Sequence, residues 1–294
     1  MKERVWLRLI RGARRVHQRA DWLEFAGHGW ADTIMRMVVR DRFHAKQGRS
    51  IARWVLHGED RQLTVYLKRH YQLSRWRGLL ATIWPDAGWS PAVQEWHHLK
   101  WARARGMPVP AAVAAGEYIG PWGRLQSFLA VEELAGMVPL HEAIPAARTC
   151  LEPEIFGQWK RGLGAELARL TRALHSRCYF HKDLYLCHFY IPADFTHTVP
   201  ESQGHMHMID LHRLAHHRWS RRFWQIKDLA QLAYSSEIEG VSAGDRLRFW
   251  RAYLGPGYRG RAARLLGWLV RLKWRRYRRH NKKKQNLAME MISR

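Results

Sequence analysis

The 294 residues carry 50 Lys and Arg against 25 Asp and Glu, a formal charge of +25, with 47% hydrophobic residues and 16 tryptophans. The apolar fraction excludes general disorder, and the length suits two modest domains or one two-lobed enzyme, while the charge selects polyanionic partners: nucleic acid, anionic lipid or a phosphorylated glycan. Three irregularly spaced cysteines, Cys150, Cys178 and Cys187, give no disulfide framework and fit a reducing compartment.

The N-terminus has seven basic residues between Lys2 and Arg19 but no apolar h-region, so it does not read as a secretory signal. No run approaches the roughly 20 apolar residues of a membrane span. A cytoplasmic protein, able to lie on a membrane surface, is expected. The basic extension is taken as residues 1–30, ending at the break "AGHGW".

Three strand-like runs follow: "TIMRMVVRDRF", "SIARWVL" and "QLTVYLKRHY", joined by "HAKQGR" and "HGED". In the third, Leu63, Val65 and Leu67 alternate with Thr64, Tyr66 and Lys68, the period of a half-buried strand. "SPAVQEWHHLKWARARG" reads as a helix capped by Ser90, with Pro91 at its first position and Gly106 at its stop. A strand pair is expected from "VPAAVAAGEY" and "RLQSFLAVEEL". After Gly136 the pattern turns helical, and residues 154–176 place Leu163, Leu167, Leu170 and Leu174 on one face. The tail contains no acid from Arg259 to Lys284, and Leu265, Trp268, Leu269 and Leu272 recur at helical spacing. That segment, about 258–285, reads as a basic amphipathic helix suited to an anionic lipid surface, or as a docked helix with a solvated basic face.

A sheet-rich lobe (31–134) followed by a helix-rich lobe (135–294) is the α+β layout of a protein-kinase-like fold, small antiparallel sheet first. Its chemical parts can be sought in order. Lys68 ends "VYLK" on the alternating strand and could reach the α- and β-phosphates of ATP; an exposed strand lysine is the plain alternative. Glu95, the only acid between Ser90 and Gly106, could hold that lysine, or lie on the surface. "HKDLYLCH" places Asp183 after His181 and Lys182, with His188 where a kinase catalytic loop has asparagine. Asp183 could accept the proton of a substrate hydroxyl, or be a buried structural carboxylate. Asp210, in "HMHMIDLHRL", sits where a metal aspartate would, and a carboxylate there could hold Mg²⁺ across the β- and γ-phosphates. The glycine-rich loop is the poorest match: Gly48 is the only glycine of "HAKQGRS", although its amides, Lys46 and Arg49 could still cover phosphates.

"FHKDLYLCHFYI" with "IDLHR" resembles the lipopolysaccharide core kinase family, the heptose and Kdo kinases of Gram-negative bacteria. "LKRHYQLSRWRGLL" and "EWHHLKWARARGMPVP" resemble its N-lobe, so the likeness spans roughly residues 40–235. It implies an ATP-dependent kinase that phosphorylates an inner-core sugar hydroxyl at the cytoplasmic face of the inner membrane. By position, Asp183 becomes the catalytic base, Asp210 the metal ligand, Lys68 the phosphate-binding lysine and Glu95 its partner. His188 takes a phosphate- or metal-adjacent role, and "AVEEL", with Glu132 and Leu134, falls where the hinge would bind adenine through its backbone. The acceptor would be a polyanionic glycolipid, with the basic termini holding the enzyme at the membrane; no specific nucleic acid is expected. The competing readings are a kinase-fold enzyme with another small acceptor, a basic tryptophan-rich nucleic-acid-binding protein, and a pseudokinase. The paired histidines at 97–98 and 216–217 and "HMH" at 205–207 lack the partner spacing of a zinc site.

Overall fold

The computed structural model describes residues 5–38, 41–46, 48–197 and 204–292, with side chains placed for all but 41–46 and 282–292. Lys2, Arg4 and Gln47 therefore lie outside the described residues, as do the side chains of Lys46 and of Lys282, Lys283 and Lys284. The chain divides into two compact units, residues 1–135 and 136–294.

The first unit runs α1 (Val5–Arg11), β1 (Ala13–Gln18), α2 (Trp22–Ala26), α3 (Trp30–Thr33), β2 (Asp41–Lys46), β3 (Arg49–His57), β4 (Gln62–His70), α4 (Arg75–Ile83), α5 (Pro91–Arg103), β5 (Ala112–Ile119) and β6 (Leu125–Glu132). Its strands form one antiparallel sheet in the order β1-β5-β6-β4-β3-β2. The alternation in β4 decides which face is which. Leu63, Val65 and Leu67 point into a core with Trp22, Trp30, Ile34 and Phe128, where Trp30 meets Trp22 edge-on at 5.7 Å and Phe128 at 5.5 Å. Tyr66 and Lys68 lie on the other face, the face that carries α5. Ser90 caps α5 through its side chain, accepting from the Val93 amide.

Two parts of this unit differ from expectation. The basic extension is built into the sheet: β1 pairs with β5 from Ala13–Ile119 to Gln18–Ala114, and α2 and α3 cover the apolar face behind it. The strand expected over 33–43 begins only at Asp41; Trp30–Thr33 is helical, and Ile34 is fully buried against the sheet. The buried Arg69 guanidinium explains this, since it donates to the carbonyls of Ile34 (3.1 Å) and Met37 (2.7 Å), acceptors that a strand would have spent on a neighbour.

Where α4 crosses the β5–β6 turn (Gly120–Arg124), Gly78 abuts Gly123, which adopts φ +76. A Cβ at Gly78 would run into the Gly123 carbonyl, so the helix can approach only as glycine.

The second unit runs β7 (Met137–Pro139), α6 (Leu140–Cys150), α7 (Pro153–His175), β8 (Tyr179–Phe180), β9 (Phe189–Pro192), β10 (His207–Met208), β11 (Ala215–His216), α8 (Arg221–Ser235), α9 (Ala243–Leu254) and α10 (Arg261–Ile292). Short ribbons β10-β9-β7 and β11-β8 frame the loops that carry the candidate site. α7 buries Leu163, Leu167, Leu170 and Leu174, as its spacing predicts. α9 is fastened to it through Asp245, which accepts from Lys160 (2.8 Å) and from the Ser242 amide (2.9 Å) in a capping box. α10 docks through Ala263, Leu266 and Val270, so Leu265, Trp268 and Leu272 of the expected apolar face are exposed. No helix of the described residues is long and apolar enough to cross a membrane.

Two stability tests follow from these contacts. Gly78→Ala is expected to destabilise the first unit by about 2–3 kcal/mol, read as a lower midpoint in denaturant with an unchanged slope. Burial pushes the Asp245 carboxyl up, but hydrogen bonds from Lys160 and Ser242 outweigh it and hold the group below its usual range. A depressed folded-state value contributes stability above the unfolded value and loses it as pH falls through the folded one. Asp245→Asn should therefore cost about 2 kcal/mol at neutral pH. In unfolding free energies measured against pH, that difference should shrink only below the unfolded value of 3.8.

Candidate active site

In the first unit, residue alternation in β4 sends Lys68 to the α5 side, and the first turns of α5 bring Glu95 to meet it. Lys68 Nζ lies 2.7 Å from Glu95 Oε1, with the glutamate side chain 4% exposed. Removing the lysine would leave the buried glutamate without its partner. Gly48 turns the β2–β3 hairpin at φ +83, and its carbonyl accepts from the Tyr71 amide at 2.8 Å. Lys46 pairs with Arg49 across this turn, which is thus much shorter than a G-x-G-x-x-G loop. At the end of β6, the Glu132 and Glu133 amides donate to the carbonyls of Ala111 and Thr64, and the Glu132 carboxylate pairs with Arg19 at 2.7 Å. The Leu134 amide finds no such acceptor among the described residues.

In the second unit, the loop between β8 and β9 holds Asp183 and His188, and the turn after β10 holds Asp210. Asp183 is gripped from two elements. Arg213 Nη1 reaches both carboxylate oxygens at 3.0 and 2.9 Å, and Gln231 of α8 approaches Oδ1 at 3.5 Å. His188 Nδ1 donates to the Asp183 carbonyl at 2.7 Å, which fixes the tautomer and turns Nε2 towards Asp210 Oδ2, 3.7 Å away. Burial pulls His188 down, yet Cys187, the Asp183 carbonyl and the Asp210 carboxylate together hold it above its usual value. Asp210 adopts φ 61, ψ 53 and pairs through Oδ1 with His212 Nδ1 at 2.7 Å. Lys182, beside Asp183, is also left-handed at φ 68. Such backbone persists in a bulky residue only when its surroundings over-determine it.

That determination comes from α8. Asp228, fully buried, accepts from the amides of His181 (2.8 Å) and Lys182 (2.9 Å) and pairs with His175 at 3.3 Å. Lys227 donates to the Lys182 carbonyl. His181, with no exposed surface, donates from Nε2 to the Ile209 carbonyl at 3.0 Å, so the loop of Asp183 and the strand leading to Asp210 are joined directly. Burial, then the neighbouring His188, keeps its imidazole below the usual value. Sequence reasoning missed Asp228, Arg213 and Gln231. Asp228 had left a signal, being the only acid between Leu211 and Ser236.

The structure thus brings Lys68 and Glu95 together in one unit, and Asp183, His188 and Asp210 together in the other. Chemically the second set offers a fixed carboxylate beside a second carboxylate–imidazole pair, and the first a half-buried cation held by a buried carboxylate. No group of three or more His, Cys, Asp or Glu poised for a metal occurs among the described residues.

A model of the lipopolysaccharide kinase (Kdo/WaaP) family matches residues 40–253. The lipopolysaccharide core heptose(I) kinase WaaP of Pseudomonas aeruginosa is 32% identical over 198 residues, 66% of this chain and 71% of that protein. The enzyme of the same name from Escherichia coli K12 is 31% identical over 180 residues, 61% of this chain and 64% of that protein. The solved structure of WaaP in complex with acyl carrier protein has a TM-score of 0.66 and 26% identity, covering 88% of this chain and 98% of that one. With the family match spanning both units and both residue sets, the chain belongs to the lipopolysaccharide kinase (Kdo/WaaP) family: it is a phosphotransferase of protein-kinase-like fold, with ATP as the implied donor and a sugar hydroxyl of the lipopolysaccharide inner core as acceptor.

Proposed function

We propose that the acceptor is an inner-core heptose and that Asp183 is the base that takes its hydroxyl proton. The observation that carries this is the grip on Asp183: a carboxylate held by Arg213 and Gln231, on a loop pinned by Asp228, has a fixed direction. As the sugar oxygen bonds to the γ-phosphorus, its proton passes to Asp183; the bond to the β–γ bridging oxygen breaks and ADP leaves. Heptose is preferred to Kdo because the curated relatives carry that specificity in their names.

Lys68, steadied by Glu95, binds the α- and β-phosphates, and the Gly48 turn with Arg49 covers them. The hinge from Glu132 to Leu134 receives adenine, with the Leu134 amide as donor. Magnesium would be held by Asp210 with His188 beside it, and when bound it would neutralise charge on the β- and γ-phosphates. Two protein groups suffice for such a site, because Mg²⁺ fills its remaining positions with water and phosphate oxygens.

The enzyme would work as a peripheral protein on the cytoplasmic face of the inner membrane, where its anionic glycolipid acceptor is made. The exposed Leu265, Trp268 and Leu272, within the stretch from Arg259 to Lys284 that carries no acid, support this reading, since an apolar strip flanked by arginines suits an anionic interface.

Two measurements test the assignment. Transfer of labelled γ-phosphate from Mg-ATP to purified inner-core lipopolysaccharide should fall by about 10³-fold or more in Asp183→Asn, with ATP binding retained. Transfer surviving at the wild-type rate would remove Asp183 from the role. Lys68→Met should lower kcat/KM by about 10²–10³-fold and should weaken nucleotide binding, a change Asp183→Asn does not produce.

A further inference from the structure

We propose that the surface built from α1, α4 and the β5–β6 turn is a membrane-docking site, seating indoles in the lipid interface and anionic headgroups in an adjoining arginine-lined groove. The inference rests on the acceptor being a membrane glycolipid and adds a lipid contact to the first unit. It involves none of the residues assigned to phosphate, metal or adenine.

The three segments converge. Arg8 of α1 donates to the Thr82 carbonyl of α4 at 2.9 Å, and α4 lies on the turn through Gly78 and Gly123. Each presents tryptophan to solvent: Trp6 is 70% exposed, Trp76 68% and Trp122 66%. Ile10 of α1 and Trp84, just past the end of α4, are exposed as well. Single exposed apolar residues are ordinary, but exposed indoles on three elements packed against one another mark an interaction surface, and indole is the side chain that settles at headgroup depth. Trp122 adds a second, independent sign. It adopts φ 54, ψ 42, where glycine sits without strain and a bulky L-residue does not, and its ring is turned to water. Of the other non-glycine residues at positive φ, Lys182 and Asp210 belong to the candidate active site.

The charge says what the surface meets. α1, α4 and the turn contain no acidic residue in their described positions. Beside them opens a groove of about 1000 Å³ lined by Arg11, Arg14, Arg75 and Arg124, with Tyr71 and Gln126. Arg14 is paired with Asp32; Arg11, Arg75 and Arg124 have no ion pair among the described residues. The groove has room for more than a bare phosphate. Protruding aliphatic and indole side chains beside unpaired guanidinium groups are the two halves of an anionic-lipid contact: apolar insertion and headgroup attraction. Aliphatic Ile10 and Leu7 among the tryptophans favour acyl chains over stacked bases.

Sedimentation of the full chain with phosphatidylcholine vesicles, with and without phosphatidylglycerol, tests the idea. The double variant Trp76→Ser/Trp122→Gly should lose about tenfold or more of its partition onto either vesicle. Arg11→Glu/Arg124→Glu should lose its preference for phosphatidylglycerol by a similar factor. Trp122→Gly removes a strained residue, so an undiminished melting temperature certifies the fold. Wild-type partition in both variants, with loss only in Leu265→Ser/Trp268→Ser/Leu272→Ser on α10, would overturn the proposal, as would displacement from vesicles by single-stranded DNA. Transfer to core oligosaccharide freed of its lipid should be unchanged in the surface variants. If the wild type docks through this surface yet transfers nothing, the docking stands and the kinase assignment falls.

Discussion

A fully buried carboxylate organises the second unit. Burying the charge of Asp228 would be prohibitive without partners, so its oxygens are met by the amides of His181 and Lys182 and by His175. Those bonds do more than neutralise it. By seizing two successive amides they force the chain through the left-handed conformation of Lys182, and the next residue is Asp183. Burial, followed by the nearby Arg213, lowers Lys182, whose ammonium rests over the Trp224 ring at 4.5 Å. The strain of the loop and the aim of its carboxylate thus have one cause on α8, a rigid element.

The same economy governs the first unit. In a chain with twice as many bases as acids, a lone acid inside a basic or apolar segment has many possible partners and little reason to be buried without one. Glu95 is such an acid, Asp228 another, Asp183 a third, and each is bonded to a specific donor. Glu95 holds a long, flexible lysine, whereas Arg213 holds a short aspartate through Nη1, which reaches both carboxylate oxygens. The difference suits their proposed tasks: Lys68 supplies a positive charge to phosphate, and Asp183 must keep its direction while its proton count changes.

Much of this was legible because the deciding patterns are local. The alternation of Leu63, Val65 and Leu67 set the face of Lys68, and Ser90 with Pro91 set the start of α5, so Lys68 and Glu95 could be paired before any coordinates. What escaped has a common physical origin in long-range contacts. β1 has no fully buried residue, so it carries no apolar rhythm and reads only as basic chain; its partner β5 lies about a hundred residues away. Thr33–Val38 has strand-like composition, but the carbonyls it would have offered a neighbour go to Arg69. On α10, the strip formed by Leu265, Trp268 and Leu272 was visible, whereas the docking of Leu266 and Val270 depends on α8 and α9, which no spacing in the tail encodes.

The position of the family match sharpens the role of the residues before it. The match starts at residue 40, yet Trp22 and Ile34 are fully buried and Trp30 nearly so, all against the sheet that carries Lys68. The N-terminal extension is therefore part of the first unit's core, and its arginines are paired: Arg19 with Glu132, Arg15 with Asp86, Arg14 with Asp32. From Ala13 to Gln18 the basic segment is a strand of the sheet. It presents charge at fixed positions, on a surface whose α4 is seated by a glycine–glycine contact. On the proposed docking surface, fixed charge beside fixed indoles would recognise an orientation as well as a sign, which would suit an acceptor hydroxyl standing at a set height above a lipid plane.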